Sequence, residues 1–253
     1  MSDWALITGA SSGIGLELAK LFAADRFNLA LVARNESRLN QLAESLRREH
    51  GIETRVLARD LSAAGAPREI FDALHDTPIS VLVNNAGIGF YGAFAKSDLR
   101  EQTGILQVNI TALTQLTHLF LQPMLARKAG RILNVASTAA FQPGPMVNVY
   151  YASKAFVYSF SYALSVELEK SGVTVTALCP GTTHTEFFSR GHFGSKRAPF
   201  TMDARTVAEI GYRGLMKGRR VVIPGIFNRV TSALSKRMPA RFTTAIVKRV
   251  HGS

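Results

Sequence analysis

Tyr150 and Lys154 stand four residues apart in the run Tyr150-Tyr151-Ala152-Ser153-Lys154. A helical pattern over residues 149–170 places the pair on one face, one turn apart. A phenol with an ordinary pKa of ~10 is protonated at neutral pH. A nearby ammonium favours the phenolate and draws that value toward the working range. Such a tyrosine gives a proton to a developing alkoxide, or takes one from an alcohol. Tyr151 lies ~100° further round the helix and cannot share the lysine equally. It is assigned to a pocket wall or an interface. Taken alone, Tyr and Lys at this spacing also read as two ordinary helix residues.

A second constellation lies near the start. Thr8-Gly9-Ala10-Ser11-Ser12-Gly13-Ile14-Gly15 follows an apolar run and precedes a helical pattern through Leu18, Leu21 and Phe22. A pyrophosphate must approach backbone N–H groups at a helix N-terminus, and a Cβ would block it. Glycines between a strand and a helix meet that need, whereas a bare Gly/Ser turn has no use for the flanking elements.

Both constellations need a frame. Short apolar runs at 4–8, 28–33, 53–58, 79–84, 131–136, 173–178 and 220–223 read as strands buried on both faces. Helix signals separate them. Asn35 reads as an N-cap, with Leu39, Leu42 and Leu46 on one face and Gly51 as the stop. Strand–helix alternation predicts an α/β fold, a Rossmann-like doubly wound parallel sheet of about seven strands with helices on both faces. No repeat or linker divides the chain, so residues 1–253 read as a single domain. Residues 187–200 are expected to be a substrate lid, and the basic tail at 227–253 to hold one or two short amphipathic helices.

Composition sets the outer limits. In 253 residues, 47% are hydrophobic and 19% charged, which excludes a disordered or collagen-like chain and a small disulfide scaffold. A lone cysteine, Cys179, cannot pair internally, which points to a reducing compartment and a cytoplasmic protein. It reads as a small buried hydrophobe. The opening MSDWALITGASSGIG enters a strand at once, with no room expected for a signal peptide. No apolar run is long enough for a transmembrane helix. No spacing of His, Cys, Asp or Glu suggests a metal. The net charge is +12, and after Glu209 the chain holds ten Lys and Arg and no acid, so the excess lies in the tail.

The spacing TGxxxGxG resembles the loop of the short-chain dehydrogenase/reductase family. More residues agree: Asn84-Asn85-Ala86-Gly87 after the fourth strand, Asn109 in the next helix, Ser137 after the fifth strand, the YxxxK pair, and Pro180-Gly181 after the sixth with Thr183 and Thr185 beyond. The resemblance covers about residues 4–225. It implies that Tyr150 is the acid/base and that Ser137 orients the reacting oxygen. Lys154 would also bind the nicotinamide ribose, and Asn109 would hold a water linking Lys154 to solvent. The glycine loop (Gly9, Ser11, Ser12, Gly13, Ile14, Gly15) would cradle the pyrophosphate. Asp60 would bond the adenine amino group, with Leu61 beside it. Asn84, Asn85, Ala86 and Gly87 would border the adenosine half, while Pro180, Gly181, Thr183 and Thr185 would meet the carboxamide. Homo-oligomers, dimers or tetramers, are expected, with the Tyr150 helix against a partner.

The residue closing the second strand selects the dinucleotide. An acid there would bond the ribose 2′-OH and repel a 2′-phosphate. Here Ala33 is followed by Arg34, whose guanidinium pairs with a phosphate, and Ser11 adds a hydroxyl. NADP(H) is favoured over NAD(H).

The substrate pocket is expected between residues 141–147 and the lid. Phe141, Met146, Phe187, Phe188, Phe193 and Phe200 there suggest an apolar substrate. Phe141-Gln142-Pro143-Gly144-Pro145 and the basic tail resemble a branch that includes acyl-chain and steroid ketone reductases. His184 reads as a polar turn residue. The tail is open to three readings: a solvated surface, an oligomer contact, or a patch for anionic lipid. Nucleic acid is disfavoured, because no reading motif accompanies the charge. The competing functions are thus an NADP(H)-dependent ketone/aldehyde–alcohol oxidoreductase, a non-catalytic dinucleotide-binding regulator, and a membrane-surface protein acting through its tail.

Overall fold

Helix α2 (Glu36–His50) shows how closely local sequence sets this fold. Asn35 Oδ1 accepts the Arg38 N–H at 2.9 Å, and Gly51 closes the helix in the left-handed region at φ 63°. Leu39, Leu42 and Leu46 between these ends are buried. The computed structural model describes residues 3–187 and 200–251.

Among the described residues, seven strands pair in one parallel sheet: β1 (Trp4–Thr8), β2 (Asn28–Ala33), β3 (Thr54–Ala58), β4 (Ile79–Asn84), β5 (Gly130–Val135), β6 (Val173–Leu178) and β9 (Val221–Val222). Their order is β3-β2-β1-β4-β5-β6-β9. The chain moves outward from β1 to β3, then crosses back to set β4 beside β1. That reversal opens a crevice at the carboxyl ends of β1 and β4. The seventh strand is shorter than its apolar run, because Pro224-Gly225 follows at once. A further pair, β7 (Thr183–His184) with β8 (Met202–Asp203), is parallel and separate, and the sequence pattern did not indicate it.

Alternate strand residues serve opposite faces. Ala5, Ile7, Leu29 and Leu31 pack with α1 (Gly13–Ala24), α2 and α7 (Ala204–Met216) through Leu18, Phe22, Leu42 and Leu215. Leu6, Ala30, Val32 and Leu82 pack on the other face, against α3 (Ala66–Ala73) and α5 (Leu113–Arg127) through Ile70, Leu116 and Phe120. Helix α6 (Asn148–Glu167) lies beside β5 and β6 and carries the Tyr–Lys pair. Helix α4 (Leu99–Leu106) leads into a π-helical turn, Gln107–Ala112, before α5. The tail forms two helices, α8 (Ile226–Ser235) and α9 (Ala240–His251).

Candidate active site

The loop after β1 is held from below by the loop after β4. Thr8 Oγ1 accepts the N–H groups of Asn85 and Ala86, each at 3.0 Å. The Asn85 amide donates to Thr8 O at 2.9 Å and Gly9 O at 3.3 Å. This brings the two loops so close that side chains are excluded. A Cβ on Gly15 would lie 2.4 Å from both Asn85 Nδ2 and Gly9 O. Gly9 needs glycine twice over: its φ is +66°, and a Cβ would sit 2.8 Å from Asn85 Nδ2. At the head of α1, Ser12 makes no side-chain cap and the first turn carries no acid. The helix therefore turns uncapped N–H groups and its positive end toward the cleft. A pyrophosphate fits this cradle.

The cradle is one end of a cleft of about 770 Å³. Ser11, Ser12, Gly13, Ile14, Arg34, Asp60, Leu61, Asn85, Ala86 and Gly87 line it at this end, and Gly9 lies at its base. Gly15 and Asn109 are not among its walls. Arg34 is exposed at the mouth and makes no ion pair with any described residue. Asp60 Oδ1 accepts the Ser62 N–H at 2.9 Å, which tightens the turn after β3. Sequence reasoning missed Arg38. In the first turn of α2 its Nη1 donates to both carboxylate oxygens of Glu186, at 2.8 and 2.9 Å, and so joins α2 to the stretch after β6. No local signal joins residues 148 positions apart.

Ser137, Tyr150 and Lys154 meet at the other end of the same cleft. Ser137 follows β5, caps the next turn by accepting the Ala139 N–H at 3.1 Å, and hydrogen-bonds Tyr150. Lys154 is 5% exposed, and its Nζ donates to Val135 O at 2.8 Å. Its Nζ lies 5.7 Å from the Tyr150 ring centroid, so the two side chains share one site. Burial pushes the Lys154 ammonium down to about 8. Burial also drives Tyr150 above the ordinary phenol range, and the Ser137 hydrogen bond only partly opposes it. This corrects the expectation from spacing, that the amine lowers the phenol. The ammonium is spent on a carbonyl, and desolvation dominates. The result is a tyrosine firmly protonated at neutral pH, suited to giving a proton.

Asn109 is 1% exposed in the π-helical turn. Its amide brackets Ile88, accepting the N–H and donating to the carbonyl, both at 2.9 Å. It also donates to Ser153 Oγ at 3.0 Å, and Ser153 Oγ donates to Tyr150 O at 2.7 Å. Asn109 thus braces the loop after β4 against the turn of α6 that carries Tyr150. Ser153 was not foreseen; a small hydroxyl inside a helix gave no distinguishing signal. A Cβ on Gly87 would lie 3.3 Å from Lys154 Nζ and 3.4 Å from Asn109 Oδ1, so both polar groups face one narrow gap.

Pro180, Gly181, Thr183 and Thr185 line the cleft after β6. Thr183 is buried, and its hydroxyl donates to Gly181 O at 3.0 Å. His184 is exposed in β7. Cys179 is buried, with its thiol pushed up to about 12 by burial, as a structural cysteine should be. Among the described residues no group of acids, His and Cys could hold a metal.

The expected apolar wall is partly corrected. Phe187 lines the cleft, its ring 5.3 Å from that of Tyr150. Phe141 instead packs edge-on against Tyr158 at 5.0 Å, and neither it nor Met146 lines the cleft. Phe200 stacks on Phe227 at 4.3 Å on the outer surface. Phe188, Phe193 and most of the expected lid at 187–200 lie outside the described residues. Phe90, Ile105 and Val108, which the sequence did not single out, complete the apolar wall. Tyr151 lines the cleft, and burial lifts its phenol to about 12.

A parallel sheet with a glycine cradle at its reversal and a Ser–Tyr–Lys cluster at the far end of one cleft defines a class of nucleotide-dependent dehydrogenases. The family model "short chain dehydrogenase" matches residues 3–192, and the chain belongs to that family. It is 36% identical over 187 residues to 17-beta-hydroxysteroid dehydrogenase type 3 of Mus musculus, covering 73% of this chain and 61% of that one. It is 40% identical over 181 residues to a very-long-chain 3-oxoacyl-CoA reductase of Phaeosphaeria nodorum, covering 68% of this chain and 52% of that one. The chain thus matches less than two thirds of either relative's length. Among solved structures, a short-chain dehydrogenase from Sphingobium yanoikuyae in complex with NADPH superposes with a TM-score of 0.86 at 33% identity, over 93% of each chain.

Proposed function

We propose that the protein is an NADP(H)-dependent oxidoreductase that interconverts a ketone or aldehyde and an alcohol. The observation that carries this reading is the meeting of Ser137, Tyr150 and Lys154 in the cleft that begins at the glycine cradle. A bound nicotinamide supplies hydride. Tyr150, held protonated by burial, donates the proton to the oxygen that gains charge, and Ser137 orients that oxygen. Lys154 carries positive charge beside the phenol and is placed for the nicotinamide ribose. Asn109 faces the same gap over Gly87 and completes a proton path to solvent. Arg34, which makes no ion pair with any described residue, and Ala33 in place of an acid at the end of β2 support the 2′-phosphate form of the cofactor. The bound NADPH of the Sphingobium protein agrees with this choice.

The substrate is apolar. Phe187 beside Tyr150, with Phe90, Ile105 and Val108 lining the same cleft, supports this, as do relatives named for steroid and long-chain 3-oxoacyl substrates. The protein works as a homo-oligomer in the cytoplasm. Phe156, Tyr162 and Val166 leave an exposed apolar strip along α6 for a partner copy. None of the described helices is long and apolar enough to cross a membrane. The test is Tyr150→Phe, assayed by NADPH consumption over ketones, ketosteroids and 3-oxoacyl thioesters. The wild type turns over at least one class, and the variant loses turnover while binding NADPH as before. Robust turnover in the variant refutes the reading.

A further inference from the structure

Helix α8 is built inside out. Its inward residues are polar: Asn228, Thr231, Ser232 and Ser235 fall at i, i+3, i+4 and i+7. Ser235 Oγ donates to Gln142 Oε1 at 2.8 Å, Asn228 Nδ2 donates to Pro224 O at 2.7 Å, and Ser232 is 3% exposed. Its outward residues are apolar: Ile226, Phe227, Val230 and Leu234 are 79%, 49%, 53% and 55% exposed. A surface helix that packs on a core shows the reverse order. Phe200, 65% exposed, stacks on Phe227 and extends the apolar strip. Phe242 of α9 adds a further exposed ring.

The strip has a basic rim. Arg229, Arg237 and Arg241 are exposed around it, while Lys236 Nζ turns inward onto Tyr158 OH at 3.1 Å, and the chain carries no acid after Glu209. The strip also adjoins the catalytic cleft. Gln142, which holds Ser235, lines that cleft, and Phe200 lies in the stretch that starts at Phe187 beside Tyr150.

We propose that α8 docks the protein on an anionic lipid surface. Ile226, Phe227, Val230, Leu234 and Phe200 enter the boundary between headgroups and acyl chains, and the rim cations meet lipid phosphates. Charge decides between this occupant and a second copy. A two-fold contact through α8 would set the rim cations of both copies against one another, with no carboxylate from this segment to balance them. The purpose of docking, entry of an apolar substrate from the lipid, rests on the proposed reductase reading. The docking itself does not.

The experiment is sedimentation of the full chain with vesicles of phosphatidylcholine alone, or with about 30 mol % phosphatidylserine, at low and high salt. Binding is expected on the anionic vesicles, at least ~tenfold weaker on phosphatidylcholine and at high salt. Val230→Ser/Leu234→Ser and Arg237→Glu/Arg241→Glu are each expected to lose at least ~tenfold, with melting curves that show both folded. Turnover of a water-soluble ketone should stay unchanged in both, so failure of docking and failure of the reductase reading are told apart. Absence of binding to anionic vesicles overturns the proposal. So does equal, salt-independent binding to both vesicles. Dissociation of a larger assembly by Val230→Ser/Leu234→Ser in analytical ultracentrifugation overturns it too, because α8 would then be a self-contact.

Discussion

Lys154→Met should make the protein more stable at pH 7 while ending turnover. The folded-state pKa of Lys154 lies near 8 because burial disfavours the ammonium, against 10.5 for the ordinary group. The unfolded chain therefore holds the extra proton on this group between pH 8 and 10.5, and the Lys154 contribution to stability rises with pH across that window. Below pH 8 the full cost of burying the charge is present, about 3 kcal/mol at ~1.4 kcal/mol per tenfold. Above pH 10.5 the amine is neutral in both states and the cost is gone. Methionine keeps the packed stem without the charge but abandons the Val135 carbonyl that Nζ holds at 2.8 Å, a loss of about 1 kcal/mol. The variant should thus be about 2 kcal/mol more stable than wild type at pH 7 and about 1 kcal/mol less stable above pH 10.5. Cys179, Tyr150 and Tyr151, which burial raises, work the other way, since their unfolded forms lose protons near pH 9–10; they are present in both proteins, so the comparison of the two isolates Lys154. Urea unfolding of both proteins at the two pH values reads the difference directly, and other titrations cancel between them. A difference that does not change with pH would mean that Lys154 is not buried as a charge, and the reasoning fails.

Two further substitutions test the cofactor end of the cleft. Arg34→Ala should raise the KM for NADPH by about 10–100-fold, the worth of one charge-assisted bond, and leave that for NADH unchanged. An equal effect on both cofactors would remove Arg34 from phosphate recognition. Gly9→Ala should cost about 1–3 kcal/mol in thermal unfolding, because φ +66° is strained for alanine and the Cβ meets Asn85 at 2.8 Å. It should also abolish NADPH binding in a fluorescence titration; unchanged melting and affinity would refute the cradle.

The fold was legible because its signals are local. Val81-Leu82-Val83 in β4 and Leu29-Ala30-Leu31-Val32 in β2 are unbroken apolar runs because both sheet faces are covered. Asn35 and Gly51 marked the ends of α2 by the same hydrogen bond and left-handed turn that the structure shows. The site was legible in part for a similar reason. Tyr150 and Lys154 are joined by one helical turn, and the glycine loop by adjacency. Contacts that cross the chain left no trace. The Arg38–Glu186 clamp and the bridge from Asn109 through Ser153 to α6 depend on loops meeting in space. The π-helical turn that carries Asn109 has no residue type that announces it.

What misled was depth. Spacing said that Lys154 stands near Tyr150, but not how far desolvation would disfavour charge on each, and this reverses the expected direction of the phenol's shift. The same gap explains the phenylalanines. Phe141 and Phe187 look alike in sequence, yet one packs on Tyr158 beneath the ammonium of Lys236 and the other faces Tyr150. In α8 the inversion is complete. Ile226, Val230 and Leu234 recur at helical spacing, which by periodicity alone marks the face turned to a core. The side actually turned inward is Asn228, Ser232 and Ser235: Ser235 meets the Gln142 side chain and Asn228 the Pro224 carbonyl, while Ser232 Oγ is buried with no hydrogen-bond partner among the described residues. Periodicity reports that a helix has two faces. Which face meets the body is set by the groups waiting there, and here one of them, the Gln142 side chain, is polar.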